Sequence, residues 1–312
     1  MKDPLTLESL NNTLGFSCIE NHFIGLLRHY KLPYQALFSH SFVPINETIS
    51  SFIDAEQKYE YYDGIKRVHL YAKEIGLAQV DYVQNVPFEN LETMLEKSYA
   101  AEMPLLIKVD HQSMLDDKSI LPWRNDHYVS LFSFLKRERK VTLLDDNPKR
   151  MVFMDIDKIK EFYGREVQVI SILDRVNWDT YFRKVISILG EVLYSINSSS
   201  DIKSDIQITS KEIVSFRDSI GILRISRRRF ISWLDWLEEK KVLTISKLFR
   251  EEFQKLIKLL DKLYMVAEIT RLKNGKDLLP MIRLFSEVKM QEKSWAEQLS
   301  SVQLQAVGEK DE

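Results

Sequence analysis

The chain has 312 residues, 45% hydrophobic and 29% charged, with 9 Gly, 8 Pro and one Cys, a composition that excludes disordered, collagen-like and disulfide-stapled proteins. Lys and Arg number 44 against 46 Asp and Glu, so the molecule as a whole has no net attraction for nucleic acid. No run of 18 apolar residues exists to span a membrane, and the opening MKDPLTLESL has neither a basic n-region nor an apolar h-region; both features point to the cytoplasm.

At this length two domains are expected. Cys18 to Tyr30 reads as a helix, with Phe23, Leu26, Leu27 and Tyr30 at helical spacing, ended by Lys31-Leu32-Pro33. Asp63 to Glu74 is a second helix running into a C-capping Gly76, and Glu89 to Ala101 is a third, closing at Pro104. From there the period changes from helical to alternating. Leu105–Val109 is a buried strand, and His127–Leu135 and Val141–Leu144 form a hairpin with a charged tip at Lys136-Arg137-Glu138-Arg139-Lys140. A short helix at Ile156–Tyr163 precedes a fourth strand at Val167–Leu173.

Helices followed by an antiparallel sheet make an α+β pattern. Beyond Asp174 only helical patterns remain: Trp178–Ile196, Lys211–Ser219, Arg228–Lys240, Ile245–Leu272 and Leu279–Leu299, with Asn197-Ser198-Ser199-Ser200-Asp201 as the clearest loop. The expected division is therefore an α+β domain over 1–174 and an all-α domain over 175–312. The first is net acidic by six charges and the second net basic by four, which weakly favours an acidic partner for the helical part.

The single Cys18 sits where the first long helix begins, and there unpaired backbone N–H groups and the helix dipole favour an anion. A thiolate nucleophile needs a proton acceptor and a group to orient that acceptor. Of six histidines, His127 suits best because it opens a strand whose hairpin partner returns to Asp145, Asp146 and Asn147 beside it. Asp145 shares a strand face with Val141 and Leu143, and His127 with Val129 and Leu131. Matching apolar faces favour Asp145 over Asp146, a preference that a bulge would reverse.

The order of helix-borne Cys, His opening a strand, and Asp ending the next strand resembles papain-like cysteine enzymes. More narrowly, GFSCIENHFIGLLRHY, PLLIKVD ahead of a loop with LPW, DHYVSLF and VTLLDDNP are similar to the N-terminal domain of butirosin-biosynthesis H-type proteins, over roughly residues 10–174. That resemblance implies a papain-like N-terminal domain followed by a helical region. It also implies an acyltransferase of polyketide, nonribosomal peptide or other antibiotic biosynthesis, in which Cys18 is the nucleophile, His127 the base and Asp145 its orienter. The expected substrate is an acyl thioester on a carrier protein's phosphopantetheine, with no cofactor of the chain's own. A small-molecule amine resolves the acyl-enzyme. A peptidase or thioesterase with the same triad, or a non-catalytic carrier-binding scaffold, are the alternatives. Papain-like enzymes add an upstream side-chain amide to the oxyanion hole. Asn12 is the candidate here, in place of the usual Gln; a second departure from the pattern is that Ile19 and Glu20, not Gly, follow Cys18.

Other features have plainer readings. Cys18 and His22 are four apart, a metal-ligand spacing, but no second ligand pair shares their register, so no metal is expected. His111 and Asp110 follow the first strand and are assigned to a loop at the site's mouth. Arg224, Arg227, Arg228 and Arg229 form the one dense basic cluster; balanced charge and the lack of a basic recognition helix argue against DNA, leaving a solvated helix end or a dock for an acidic carrier protein. Trp233 and Trp236 are assigned to core, and the helical part has apolar surface enough to cap the site or form a homo-oligomer. No glycine fingerprint for a nucleotide is present.

Overall fold

The computed structural model of the chain describes residues 8, 10, 14, 17–53, 67–101, 105–115, 126–200, 208–299 and 302–304. In chain order the elements are α1 (Cys18–His29), a 3-10 turn (Tyr34–Phe38), α2 (Ile45–Ile53), α3 (Arg67–Glu74), β1 (Ala78–Val83), α4 (Phe88–Ala100) and β2 (Leu105–Asp110). Then come α5 (His111–Leu115), β3 (Asp126–Leu135), β4 (Lys140–Asp146), β5 (Lys149–Asp155), α6 (Ile156–Ile159) and β6 (Tyr163–Ile172). The remainder is α7 (Trp178–Ser200), α8 (Ile213–Glu239), β7 (Leu243–Thr244), α9 (Lys247–Leu272), α10 (Leu279–Leu299) and β8 (Gln303–Leu304). The architecture is α+β, and no helix among the described residues is long and apolar enough to cross a membrane.

The chain divides into two units, 1–34 with 67–176, and 35–66 with 177–312. The change near residue 175 falls where the loss of strand pattern puts it. Residues 35–53, however, are grouped with the helices, whereas the expected N-terminal domain runs unbroken over 1–174. The reason is packing: Ile45 and Ile49 of α2 are buried in one cluster with Phe216, Ile220 and Leu223 of α8 and Leu256 and Leu260 of α9.

The first unit is built on a six-stranded antiparallel sheet of order β1-β6-β2-β3-β4-β5. One of its faces carries Val109, Val129, Leu131 and Leu143, packed with Leu91 and Leu95 of α4. Helix α1 packs against β3 and β4 and buries Phe23, Ile24, Leu26 and Leu27. Strands β1 and β5 have no counterpart in the sequence reading. Strand β5 alternates exposed and half-buried positions throughout, so it lacks the apolar run that marks a buried strand. The predicted helix at Ile156–Tyr163 is one turn, Ile156–Ile159, after which β6 begins at Tyr163.

In the second unit, Lys211–Ser219 and Arg228–Lys240 belong to one helix, α8, because the buried series Ile220, Leu223, Ser226 and Phe230 continues the apolar stripe between them. The expected loop at residues 197–201 is also revised: α7 runs through Ser200, Asp201 lying outside the described residues. Asn and Ser cost a helix only a few tenths of a kcal/mol each. Trp233 and Trp236 are core, as expected, and the Trp233 indole N–H donates to the Tyr181 hydroxyl at 2.8 Å.

The arginine cluster on α8 is not a free basic patch. Arg227 is fully buried and ion-paired with buried Glu292; Arg229 is 5% exposed, over the Phe38 ring; Arg224 and Arg228 share Asp261. Buried Arg227 and Arg229 cannot serve the docking role expected of the four, whereas Arg224 and Arg228 stay partly exposed beside Asp261.

Candidate active site

Cys18 is the first residue of α1, and a capping box holds that helix end in place. The Ser17 side chain accepts from the Glu20 N–H at 3.3 Å, and the Glu20 carboxylate accepts from the Ser17 N–H at 3.1 Å. Glu20 is therefore occupied in building the turn that presents the thiol. Cys18 is partly exposed.

His127, next to the start of β3, faces Val109 of β2 across the ladder. The pairings Ser130 with Leu144 and Leu131 with Leu143 put Asp145 on the same face as His127, and its Oδ1 lies 2.8 Å from His127 Nε2. The hairpin does contain a bulge, between Leu131 and Ser133. It lies on the turn side of the Leu131–Leu143 pair and so leaves the register of Asp145 untouched. Asp145 is fully buried and also accepts from the Asn147 N–H at 3.0 Å and Arg150 Nε at 3.1 Å. Burial alone would raise its pKa, but the bonds from His127 and Asn147 and the Arg150 charge hold it below the ordinary value.

His127 makes a hydrogen bond to the Cys18 side chain as well as to Asp145. With Nε2 committed to Asp145, Nδ1 is left for the sulfur. Burial works against its charge, yet Asp145 and Cys18 outweigh that penalty and push its pKa up to about 10. The structure thus brings Cys18, His127 and Asp145 into one hydrogen-bonded line. Asn12 lies outside the described residues.

Around this line stand further polar groups. His111, expected in a loop, opens the one-turn helix α5, is 6% exposed, and stacks on His127 with centroids 4.2 Å apart and planes 18° from parallel. Burial and the neighbouring His127 charge lower its pKa. The signal available was its position two residues beyond Val109, the partner of His127. Asp146, the alternative orienter, has Oδ1 3.6 Å from His127 Nε2, while its Oδ2 accepts from Asn21 Nδ2 at 2.9 Å. His22 is not a partner of Cys18; its Nδ1 lies 2.8 Å from Ser130 Oγ and its Nε2 3.7 Å from Asp146 Oδ1. One donor atom each from His111, His127 and Asp145 lie within 4.8 Å of one another, a spacing that suits a metal ion.

Two of these histidines shift in opposite directions, which shapes the dependence of stability on pH. His22 is lowered from the usual 6.5 to about 4 by burial, so the unfolded chain takes up a proton that the folded one refuses. Stability falls as pH drops from 6.5 toward 4, by about 3 kcal/mol from this group. His127, raised to about 10, contributes stability fully present below 6.5 and lost as pH climbs toward 10. Urea unfolding between pH 4 and 10 is expected to show maximal stability near neutrality, with the acid-side slope reduced in His22→Gln.

The chain matches no protein-family model, and no curated protein matches it.

Proposed function

We infer that the chain is a cysteine-dependent acyltransferase with a papain-like N-terminal unit, acting on an acyl thioester carried by a partner protein. The observation that carries this reading is the line from the partly exposed Cys18 at a helix N-terminus through His127 to the buried Asp145. Nucleophile, base and orienter stand in the roles that acyl transfer requires.

The Cys18 thiolate attacks the acyl carbonyl carbon, forming a C–S bond and a tetrahedral oxyanion. Among first-turn donors, the Cys18 backbone N–H has no acceptor within its own helix and suits that oxyanion. Collapse breaks the bond to the carrier sulfur, which leaves with the proton from His127. Acylation removes the thiolate whose charge helps hold His127 protonated, so the imidazolium becomes more acidic when the leaving group needs its proton. An amine then attacks the acyl-enzyme, His127 takes its proton, and the Cys18 C–S bond breaks to restore the ion pair. Throughout, Asp145 holds the His127 tautomer.

Incubation with an N-acetylcysteamine thioester tests this. The intact mass of the native chain should rise by one acyl group, and Cys18→Ser should show no adduct; added amines should then discharge it. Discharge by water alone assigns a thioesterase or peptidase. No adduct on the native chain with any thioester, together with alkylation unaffected by His127→Ala, overturns the enzyme reading in favour of a binding scaffold.

A further inference from the structure

We propose that His111, His127 and Asp145 form a binding site for a divalent transition ion of the zinc type, whose occupation replaces the His127–Asp145 hydrogen bond with bonds to the metal. Three features carry this. One donor atom from each of the three residues falls within 4.8 Å of the others, and all three residues are buried. Donors bound to one tetrahedral zinc at about 2.0–2.1 Å lie about 3.3 Å apart, so the cluster needs an adjustment of about 1.5 Å at its widest, within reach of a side-chain rotation.

His111 is the second feature. Its imidazole makes a hydrogen bond to the Asn147 backbone, the arrangement that fixes the tautomer of a metal-binding histidine. Its Nε2 is buried without any hydrogen-bond partner, although a buried polar atom ordinarily has one. Nothing in an acyl-transfer line of Cys18, His127 and Asp145 uses this nitrogen. A metal ion supplies the missing electrophile.

Third, the carboxylate is already held as a ligand would be. Arg150 Nε donates to Asp145 Oδ2 at 3.1 Å and the Asn147 N–H donates to Oδ1 at 3.0 Å, so Oδ1, 2.8 Å from His127 Nε2, is oriented by outer contacts. Imidazole with a carboxylate suits zinc, cobalt or iron(II) better than calcium or magnesium. Water can take the remaining position.

Co²⁺ added to the chelator-treated full-length chain is the test, read by its visible ligand-field absorption. One equivalent is expected to bind with the strong bands of a low-coordinate ion. Affinity should drop at least about tenfold in His111→Ala and in the near-isosteric Asp145→Asn, each checked for native far-UV circular dichroism. Cys18→Ser should retain the ion, so the site is tested even if the thiol proves inert. No ligand-field bands above those of the aqueous ion, or equal affinity in the native chain, His111→Ala and Asp145→Asn, overturns the proposal and leaves the alkylation profile of Cys18 unaffected.

Discussion

In His127→Ala protein the rate of Cys18 alkylation by iodoacetamide is expected to rise about tenfold per pH unit below the ordinary thiol pKa of about 8.5, whereas in the native chain it stays flat over the same neutral and mildly acidic range. Only the thiolate reacts, and a cysteine without a cationic partner holds roughly 0.1% of it at pH 5.5. In the native chain His127 keeps its proton up to about 10, because Asp145 and Cys18 together overcome the cost of its burial. The imidazolium is thus present across the whole range in which an isolated thiol would be losing its reactive form. The slope is the readout, because a thiolate of lower basicity is also a weaker nucleophile and part of any rate difference at one pH cancels. With one cysteine in 312 residues the signal has a single source. Asp145→Asn should narrow the flat region from its alkaline side, since it removes a charge that holds the His127 proton. Parallel profiles of unit slope in the native chain and in His127→Ala would reduce Cys18 to a helix-end residue and sink the acyltransferase reading.

The second large effect concerns the helical unit. Arg227→Ala is expected to destabilise the chain by about 3–5 kcal/mol, and Glu292→Ala by a similar amount, measured by urea unfolding at constant m. Arg227 on α8 is fully buried; its Nε donates to Glu292 Oε1 at 3.0 Å, its Nη2 pairs with the same carboxylate, and its Nη1 donates to the Val43 carbonyl at 2.8 Å. The Phe42 ring lies 3.8 Å from the guanidinium. Removing either partner strands a charge among Phe230, Trp295 and their neighbours, where nothing can hydrate it. Burial lowers the Arg227 pKa and raises that of Glu292 despite their attraction, so desolvation outweighs the pairing for both. The double variant Arg227→Met with Glu292→Leu should therefore recover most of the loss or exceed native stability. A double variant as unstable as the sum of the singles would mean that the Val43 carbonyl bond, not the ion pair, carries the effect.

Much of the candidate site was legible because its members sit at element ends that local chemistry marks. Ser17 and Glu20 bracket the start of a helix, and Cys18 must then be its first residue. Strict alternation places His127 with Val129 and Leu131, and Asp145 with Leu143, so facing pairs follow once the hairpin is recognised. The bulge did not disturb this because it lies toward the turn. Asn21, His22 and Arg150 were not legible in the same way, and His111 was legible only as a loop residue at the site's mouth. Each comes to the site by packing of α1 and α5 on the sheet or by the pairing of β5, and none of those contacts leaves a periodic trace in the chain.

By itself, then, the sequence determined the α+β character, the change to helices near residue 175, the helix-borne thiol and the identity of His127 and Asp145 as its partners, since apolar period and capping act over a few residues. Only the tertiary structure decided that residues 35–53 belong with the helical unit, because the burial of Ile45 and Ile49 depends on partners over 150 residues away. It likewise decided the fate of the arginines. A guanidinium on a helix is a surface charge or a buried tie according to which neighbour lies across from it, and Glu292 is 65 residues from Arg227 along the chain.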